Sequence, residues 1–253
     1  RSIRDGKNGR FLGHLFLDLH PRPFKYSHAC FEQISPSVDR VRAVEGFEEK
    51  ELPFLAVVIA NFPKGTGEKP SLLKHDDVVT FFHEFGHAMH GLLGRTAMAG
   101  FSGTNVLNDF VETPSQMFEE WMWNSQALKK VSKHYKTGEP IPDDLLNKML
   151  ELRASDMGSH VQRQIALSLF SLRLFGPEKH EINTLFEQLY EEVVFSAAFD
   201  KESNFAAAFG HLSNPGYVSK YYGYMWTKVF ALDLFDNVRN SQASILEDGK
   251  GAH

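Results

Sequence analysis

The segment His83-Glu84-Phe85-Gly86-His87 constrains this chain more than any other feature of its sequence. Apolar residues around it recur with a period of 3.6, which predicts an α-helix over His75–Leu93. Acidic residues in its first turn suit the helix dipole, and Gly94 suits the position after its end. On a helix, residues four apart share one face, so the two imidazoles can bind one metal ion. Glu84 is rotated by one residue and can reach a water beside that metal without becoming a ligand.

A third metal ligand has to come from elsewhere, because a catalytic zinc site commonly has three protein ligands and one open position. The nearest suitable acid on a following helix is Glu112. Glu119 and Glu120 compete with it for this acidic role. His90 lies one turn beyond the motif, where a helix-surface position or a hydrogen bond to a ligand is expected rather than a metal bond. Chance alone gives the bare five-residue motif in roughly one chain in thirty of this composition, so the helical context carries weight.

Composition excludes several classes of protein. The chain has 253 residues, of which 42% are hydrophobic and 23% charged, as is usual for a globular protein. A formal net charge of -5 argues against a broad nucleic-acid surface, and the most apolar run, Phe54–Phe62, is too short to span a bilayer. The one cysteine, Cys30, excludes a disulfide within the chain. We therefore expect a reducing compartment. The expected location is the cytoplasm, with the mitochondrial matrix as the alternative for a longer parent protein.

The pattern of the chain predicts a mainly α fold with a small β-sheet near the N-terminus. Strands are expected at His14–His20 and Phe54–Asn61, the second buried on both faces, and Lys25–Phe31 is expected to pair with the first. Helical periodicity dominates from about residue 75. Beyond the first helix we expect helices at Phe110–Leu128, at Asp143–Phe175 as two helices, at Glu181–Ala198 and at Tyr222–Val238.

The segment Gly210–Tyr224 reads GHLSNPGYVSKYYGY and carries four tyrosines within eight residues, with His211 just upstream. A tyrosine hydroxyl can donate a hydrogen bond to the oxyanion of a tetrahedral transition state. An aromatic core cluster with one or two exposed hydroxyls is the alternative, and the segment by itself favours it.

Together, FFHEFGHAMHGL (Phe81–Leu92), FSGTNVLNDFVETPSQMFEEW (Phe101–Trp121) and GHLSNPGYVSKYYGYMW (Gly210–Trp226) closely resemble the thimet oligopeptidase family of zinc peptidases, family M3. The stretch LDLHPRPFKYSHA (Leu17–Ala29) also resembles this family, and the likeness runs through nearly the whole chain. It implies a zinc peptidase of the gluzincin type, in which two histidines and a glutamate bind the metal.

The resemblance also implies roles for individual residues. One zinc ion would be bound by His83, His87 and Glu112, with Glu84 as the general base. The resemblance further implies that four residues of the aromatic segment contact the substrate and the transition state: His211, Tyr217, Tyr221 and Tyr224. Of these, Tyr224 is the best match for the oxyanion donor. The stretch Phe101–Thr104 resembles a loop along the substrate channel, so Phe101, Ser102 and Gly103 are expected to bind substrate.

The sequence departs from the family in two respects. Residues Leu212–Gly216 read LSNPG where family members commonly have a glycine-rich loop, which weakens the roles of His211 and Tyr217. Family enzymes are also much longer, with a large helical N-terminal portion. We therefore expect residues 1–253 to be one catalytic domain, a fragment that lacks this portion and the extreme C-terminus.

The expected function is that of a zinc-dependent metalloendopeptidase acting on short oligopeptides. Short peptides are the expected partners, with no nucleic acid and no membrane, and a monomer is the default state. Two alternatives remain open. One is a dipeptidyl carboxypeptidase of the same family, which removes C-terminal dipeptides. The other is a fragment that binds zinc and peptide but cannot turn over without its missing half.

Overall fold

The computed structural model describes residues 1–41, 50–194, 202 and 204–240. The strands within these residues are β1 (Ser2–Arg4), β2 (Phe11–Asp18), β3 (Cys30–Ser35), β4 (Val38–Val41), β5 (Lys50–Leu52) and β6 (Phe54–Ile59). The helices are α1 (His75–Leu93), α2 (Asn108–Val111), α3 (Thr113–Trp121), α4 (Ser125–Val131), α5 (Asp143–Leu174), α6 (Ile182–Val193), α7 (Phe205–Ala208) and α8 (Gly223–Asn240). The expectation of a mainly α fold with a small sheet near the N-terminus is confirmed.

None of the helices in the described residues is long and apolar enough to cross a membrane. The chain forms two compact units. The first consists of Arg1–Leu107, Thr113–Ile141 and the chain from Ala231, and the second of Asn108–Glu112 and Pro142–Phe230.

The first unit contains a four-stranded sheet in the order β1-β2-β6-β3. Strands β2 and β6 are parallel, with Gly13 opposite Phe54, whereas β3 pairs with β6 in the antiparallel sense. The prediction that Lys25–Phe31 pairs with the first strand was therefore wrong: β3 begins at Cys30, and its partner is β6. Strand pairing between distant segments leaves no trace in the local pattern, since each strand alternates in the same way with any partner.

The chain between β2 and β3 is a loop, and hydrogen bonds from Lys25 attach it to the sheet. The Nζ atom of Lys25 donates to the backbone oxygens of Asp18 at 2.7 Å, His20 at 2.9 Å and Ala60 at 2.5 Å. The Asn61 side chain donates to two further carbonyls of this loop, at 2.9 Å each. These side-chain hydrogen bonds replace the backbone hydrogen bonds of a strand pair and hold the loop at the ends of β2 and β6.

Helix α1 packs on one face of this sheet, and their contact forms the core of the first unit. Alternate residues of β6, Phe54, Ala56 and Val58, are completely buried. The intervening residues of β6 are only partly buried, so the prediction of a strand buried on both faces holds for one face alone. On α1, Ala88 and Leu92 complete this core.

Helix α1 has the predicted bounds, while two later helices differ from prediction. The backbone N–H of Lys74 donates to the Asp77 carboxylate at 2.9 Å, which fixes the start of α1. The predicted helix Phe110–Leu128 is divided, because the Asn124 side chain caps a new helix, α4. The predicted pair of helices within Asp143–Phe175 is a single helix, α5.

The second unit is organised around the packing of α6 on α5. Its core consists of apolar side chains from these helices together with two aromatic residues of the later chain: Leu167, Phe170, Leu185, Phe186, Leu189, Phe209 and Tyr221. Helix α6 ends at Val193, and the last residues of the predicted helix Glu181–Ala198, 195–198, lie outside the described residues. Helix α8 begins one residue after its predicted start.

Candidate active site

Helix α1 presents the two histidines of the motif side by side. The ring centroids of His83 and His87 lie 4.9 Å apart, with an angle of 84° between the ring planes. Glu84, between them in sequence, is buried to 8% exposure. The predicted spacing of one helical turn therefore brings the two imidazoles together.

Helix α3 packs closely on α1 and orients the first of these imidazoles. The Nδ1 atom of His83 lies 2.7 Å from Oε1 of Glu119, which makes this a short, strong hydrogen bond. Metal-binding histidines usually make such a bond with one ring nitrogen and bind the metal with the other. Nε2 of His83 is therefore the nitrogen suited to a metal.

Within the described part of the chain, one group of side chains can hold a metal ion: His83, His87 and Glu112. One ligand atom from each lies within 4.8 Å of the others. Glu112 is 3% exposed and is joined by a peptide bond to Thr113, where α3 begins. The competing acids Glu119 and Glu120 are not members of this group.

A break at Glu112 divides the predicted helix Phe110–Leu128 near its start. Helix α2 ends at Val111 and α3 begins at Thr113, so Glu112 lies at the break between two helices. Pro114 in the first turn of α3 is the sequence signal for this new start, since proline is tolerated where backbone N–H groups have no helical partner.

His90 is not a member of the metal group among the described residues. Burial, followed by the neighbouring His87, lowers the pKa of its imidazole. The neutral form of His90 is therefore favoured, as expected of a half-buried imidazole.

The donor set fits a catalytic zinc ion. Two imidazole nitrogens and one carboxylate oxygen are among the known ligand sets of catalytic zinc, and three protein ligands leave a position for water. The hydrogen bond that Glu119 accepts from His83 provides the support that such a ligand needs.

The aromatic segment forms a compact cluster in the second unit. The ring of His211 makes edge contacts with Tyr217 and Tyr221 at 5.1 Å and with Tyr224 at 5.8 Å. The rings of Tyr217 and Tyr224 are stacked, with only 2° between their planes. The Tyr217 hydroxyl donates to Oε1 of Glu112 at 3.2 Å. Tyr217 therefore touches one member of the metal group.

The Tyr224 hydroxyl is held as a neutral donor. Burial, and then the negative charge of Glu112, raises the pKa of Tyr224 far above its ordinary value. Its oxygen lies 3.4 Å from Nε2 of His211. A hydroxyl that keeps its proton at all working pH values can donate a hydrogen bond to a developing negative charge.

Tyr221 differs from its neighbours because its hydroxyl has a partner in α5. It donates to Oε1 of Gln164 at 3.2 Å, and the residue is 8% exposed. Burial raises the pKa of Tyr221 as well. Gln164 was not predicted from the sequence, and no local pattern indicates it, because 57 positions separate it from Tyr221.

The loop after α1 exposes the ring of Phe101, while the two residues that follow are held by hydrogen bonds. Phe101 is 66% exposed, whereas Ser102 is completely buried and donates its hydroxyl to the backbone oxygen of Ser37 at 2.6 Å. The backbone N–H of Gly103 donates to the carbonyl of Gly94 at 2.7 Å. Of the three residues expected to bind substrate here, Phe101 presents its side chain to solvent.

The model of peptidase family M3 matches residues 2–252, nearly the whole chain. The chain belongs to peptidase family M3. The family membership agrees with the motifs on α1, on α3 and in the aromatic segment.

Three relatives illustrate the range of this family. The chain is 37% identical to saccharolysin of Saccharomyces cerevisiae over 92% of its own length and 33% of that protein. It is 37% identical to oligopeptidase A of Escherichia coli over 90% of its length and 33% of that protein. It is 33% identical to dipeptidyl carboxypeptidase of Escherichia coli over 69% of its length and 26% of that protein. The chain spans about a third of the length of the curated relatives that it matches.

Proposed function

We propose that this chain carries the catalytic site of a zinc-dependent endopeptidase that cleaves short oligopeptides, with His83, His87 and Glu112 as the zinc ligands. The observation that carries the proposal is the gathering of these three side chains, with Glu84 next to the first of them. The name of oligopeptidase A, 37% identical to this chain, supports oligopeptides as the substrate class.

The chemistry divides between the metal and the side chains. A bound zinc ion supplies Lewis-acid polarisation of the scissile carbonyl and lowers the pKa of water. Glu84 accepts the proton of the attacking water and delivers it to the leaving amine. Tyr224 donates its hydrogen bond to the carbonyl oxygen as negative charge develops there. His211 orients the Tyr224 hydroxyl. Tyr217 assists Tyr224 in stabilising the oxyanion.

Substrate binding is assigned to two further groups. Phe101 offers an exposed ring to an apolar side chain of the peptide, while buried Ser102 and the Gly103 backbone hold that ring in place. Tyr221 packs against His211 and lines the aromatic cluster. One zinc ion per chain and a peptide partner follow from this proposal. A monomer is the default state and the cytoplasm the proposed location, with the mitochondrial matrix as the alternative.

A dipeptidyl carboxypeptidase is the second candidate, because one relative with that name is 33% identical over 69% of the chain. The two activities differ in their products. An endopeptidase cleaves a peptide whose C-terminus is amidated, whereas an enzyme that releases C-terminal dipeptides depends on the free carboxylate.

The test uses the zinc-loaded chain and one internally quenched peptide of about ten residues, with a free or an amidated C-terminus. Internal products from both peptides, identified by mass, are expected. Dipeptide release from the free peptide alone would establish the second candidate. Binding of the peptide by calorimetry, with one zinc bound and no products, would mean that the chain binds substrate but needs further protein for turnover.

A further inference from the structure

Gly86 lies between the two histidines of the motif and faces α3. A Cβ atom added at Gly86 would lie 2.5 Å from the Cα atom of Ser115 and 2.8 Å from the backbone oxygen of Pro114. Real Cβ atoms essentially never come this close to other heavy atoms. Both neighbours are backbone atoms, so no side-chain rotation could make room. At this point the backbones of α1 and α3 are in direct contact.

This contact lies where the metal group is assembled. The first turn of α3 touches Gly86, Glu112 is bonded to the first residue of that turn, and Glu119 of the same helix holds His83. An added Cβ would reach ordinary contact only at 3.4 Å or more. Helix α3 would thus have to move by roughly 1 Å, whereas metal–ligand distances tolerate only about 0.2 Å.

A glycine at this position is unfavourable for the helix itself. Glycine inside a helix has a larger entropic cost on folding than alanine and is a poorer helix former. Gly158, in the middle of α5, provides a matched comparison, because an added Cβ there meets nothing within 4 Å. The same substitution at the two glycines therefore isolates the effect of the contact with α3.

We propose that Gly86 is a positioning residue. Because it has no side chain, α1 and α3 approach to the distance at which Glu112 can join the metal group and Glu119 can support His83. The inference rests on the proposed zinc site, and it concerns assembly of that site rather than a step of the reaction. Gly86 touches neither the metal nor the substrate.

The test is zinc affinity, measured by competition with a chromogenic chelator for the unaltered chain, Gly86→Ala and Gly158→Ala. Far-UV circular dichroism and thermal unfolding without zinc establish that each variant is folded. We expect Gly86→Ala to weaken zinc binding by about 10- to 100-fold, the range found when a group supporting a ligand is lost. Gly158→Ala should leave the affinity unchanged and raise the melting temperature.

Equal zinc affinity for Gly86→Ala and the unaltered chain would overturn the inference, while the proposed function would stand. An unaltered chain that binds no zinc would overturn the proposed function itself. A background that lacks both carboxylates, Glu112→Ala with Glu119→Ala, adds a second criterion. If Gly86 acts by placing these two carboxylates, adding Gly86→Ala to that background should change the remaining zinc affinity by less than about twofold, because the three residues act as one unit. Fully additive losses would contradict the inference.

If the Gly86→Ala variant does not unfold cooperatively, and so is not folded, the double variant Gly86→Ala, Ser115→Gly is used in its place. That variant keeps the added methyl group and gives the first turn of α3 the freedom to move away. The same loss of zinc affinity is expected, and retention of the full affinity in this folded double variant would likewise overturn the inference.

Discussion

Glu119 holds the imidazole of His83 through a bond of 2.7 Å between its Oε1 atom and Nδ1 of the ring. The bond joins α3 to α1 across 36 positions of sequence. A carboxylate in this position fixes the tautomer of the ring, directs Nε2 to the metal and raises the basicity of the ligand.

Replacing Glu119 by glutamine should weaken zinc binding by about 10-fold, because an amide can still accept the hydrogen bond but lacks the negative charge. Glu119→Ala should weaken it by up to about 100-fold. Chelator competition measures both. Glu151→Gln on the exposed surface of α5 is the control and should bind zinc like the unaltered chain. Unchanged affinity in both Glu119 variants would show that the bond does not support the ligand.

Replacing Tyr224 by phenylalanine should lower kcat by about 100- to 1,000-fold and leave KM nearly unchanged, since the lost hydrogen bond is made only in the transition state. Steady-state kinetics on the quenched peptide measure both constants. Tyr222→Phe, at an exposed neighbouring ring, is the control and should retain activity. A rise in KM with kcat intact would instead assign Tyr224 to binding of the ground state.

Phe24 should be a site where glycine stabilises the fold. Its φ angle is 63°, in the left-handed region, and its side chain is fully exposed. The left-handed conformation costs about 1–2 kcal/mol for a residue with a Cβ atom. The greater freedom of glycine in the unfolded chain offsets about 0.5–1 kcal/mol of this. Chemical denaturation should therefore show Phe24→Gly to be more stable by about 0.5–1 kcal/mol.

Phe24→Ala is the matched control for that substitution, because it removes the ring but keeps a Cβ atom in the left-handed conformation. It should be no more stable than the unaltered chain. Equal stability of the glycine and alanine variants would mean that the backbone at this position carries no strain.

The Cys30 thiol should react slowly with alkylating agents near neutral pH. Burial, followed by the charges of Glu32 and Glu84, raises its pKa to about 11. Since the thiolate is the reactive form, iodoacetamide at pH 8 should modify the folded chain about two orders of magnitude more slowly than the chain in denaturant. The rate should rise steeply towards pH 11. Equal rates for the folded and unfolded chains would contradict the raised pKa.

The same shift affects the pH dependence of stability. The folded chain holds the thiol proton more tightly than the unfolded chain, whose thiol has a pKa near 9.0. The contribution of Cys30 to the free energy of unfolding is therefore complete below pH 9 and is lost as the pH rises towards about 11. Cys30→Ser should remove this part of the alkaline loss of stability.

Helix α1 shows which features a sequence reveals. Its apolar stripe, the acids of its first turn and the glycine after its end are all local, and they predicted both bounds correctly. The partner of β3, in contrast, depends on contacts between segments far apart in the chain. A strand pattern says which residues share a face but not which strand lies beside it.

The metal site was predicted in the same uneven way. The spacing of the motif on α1 was sufficient to bring His83 and His87 together, because one helix carries both. The choice among Glu112, Glu119 and Glu120 depended on the family resemblance, since all three lie on the segment that was expected to be one helix. Pro114 marks the break at Glu112 locally, but the hydrogen bond between His83 and Glu119 arises from the packing of α3 on α1, which no local pattern contains.

The most direct measurement of the proposed mechanism compares Glu84→Gln with the unaltered chain, each first shown to contain one equivalent of zinc. Turnover of the quenched peptide is followed by fluorescence, and the products are identified by mass. We expect the variant to keep its zinc and to lose activity by at least about 100-fold, because glutamine cannot accept the proton of the attacking water. A zinc-loaded Glu84→Gln chain that retained more than about a tenth of the activity would contradict the assignment of Glu84 as the general base.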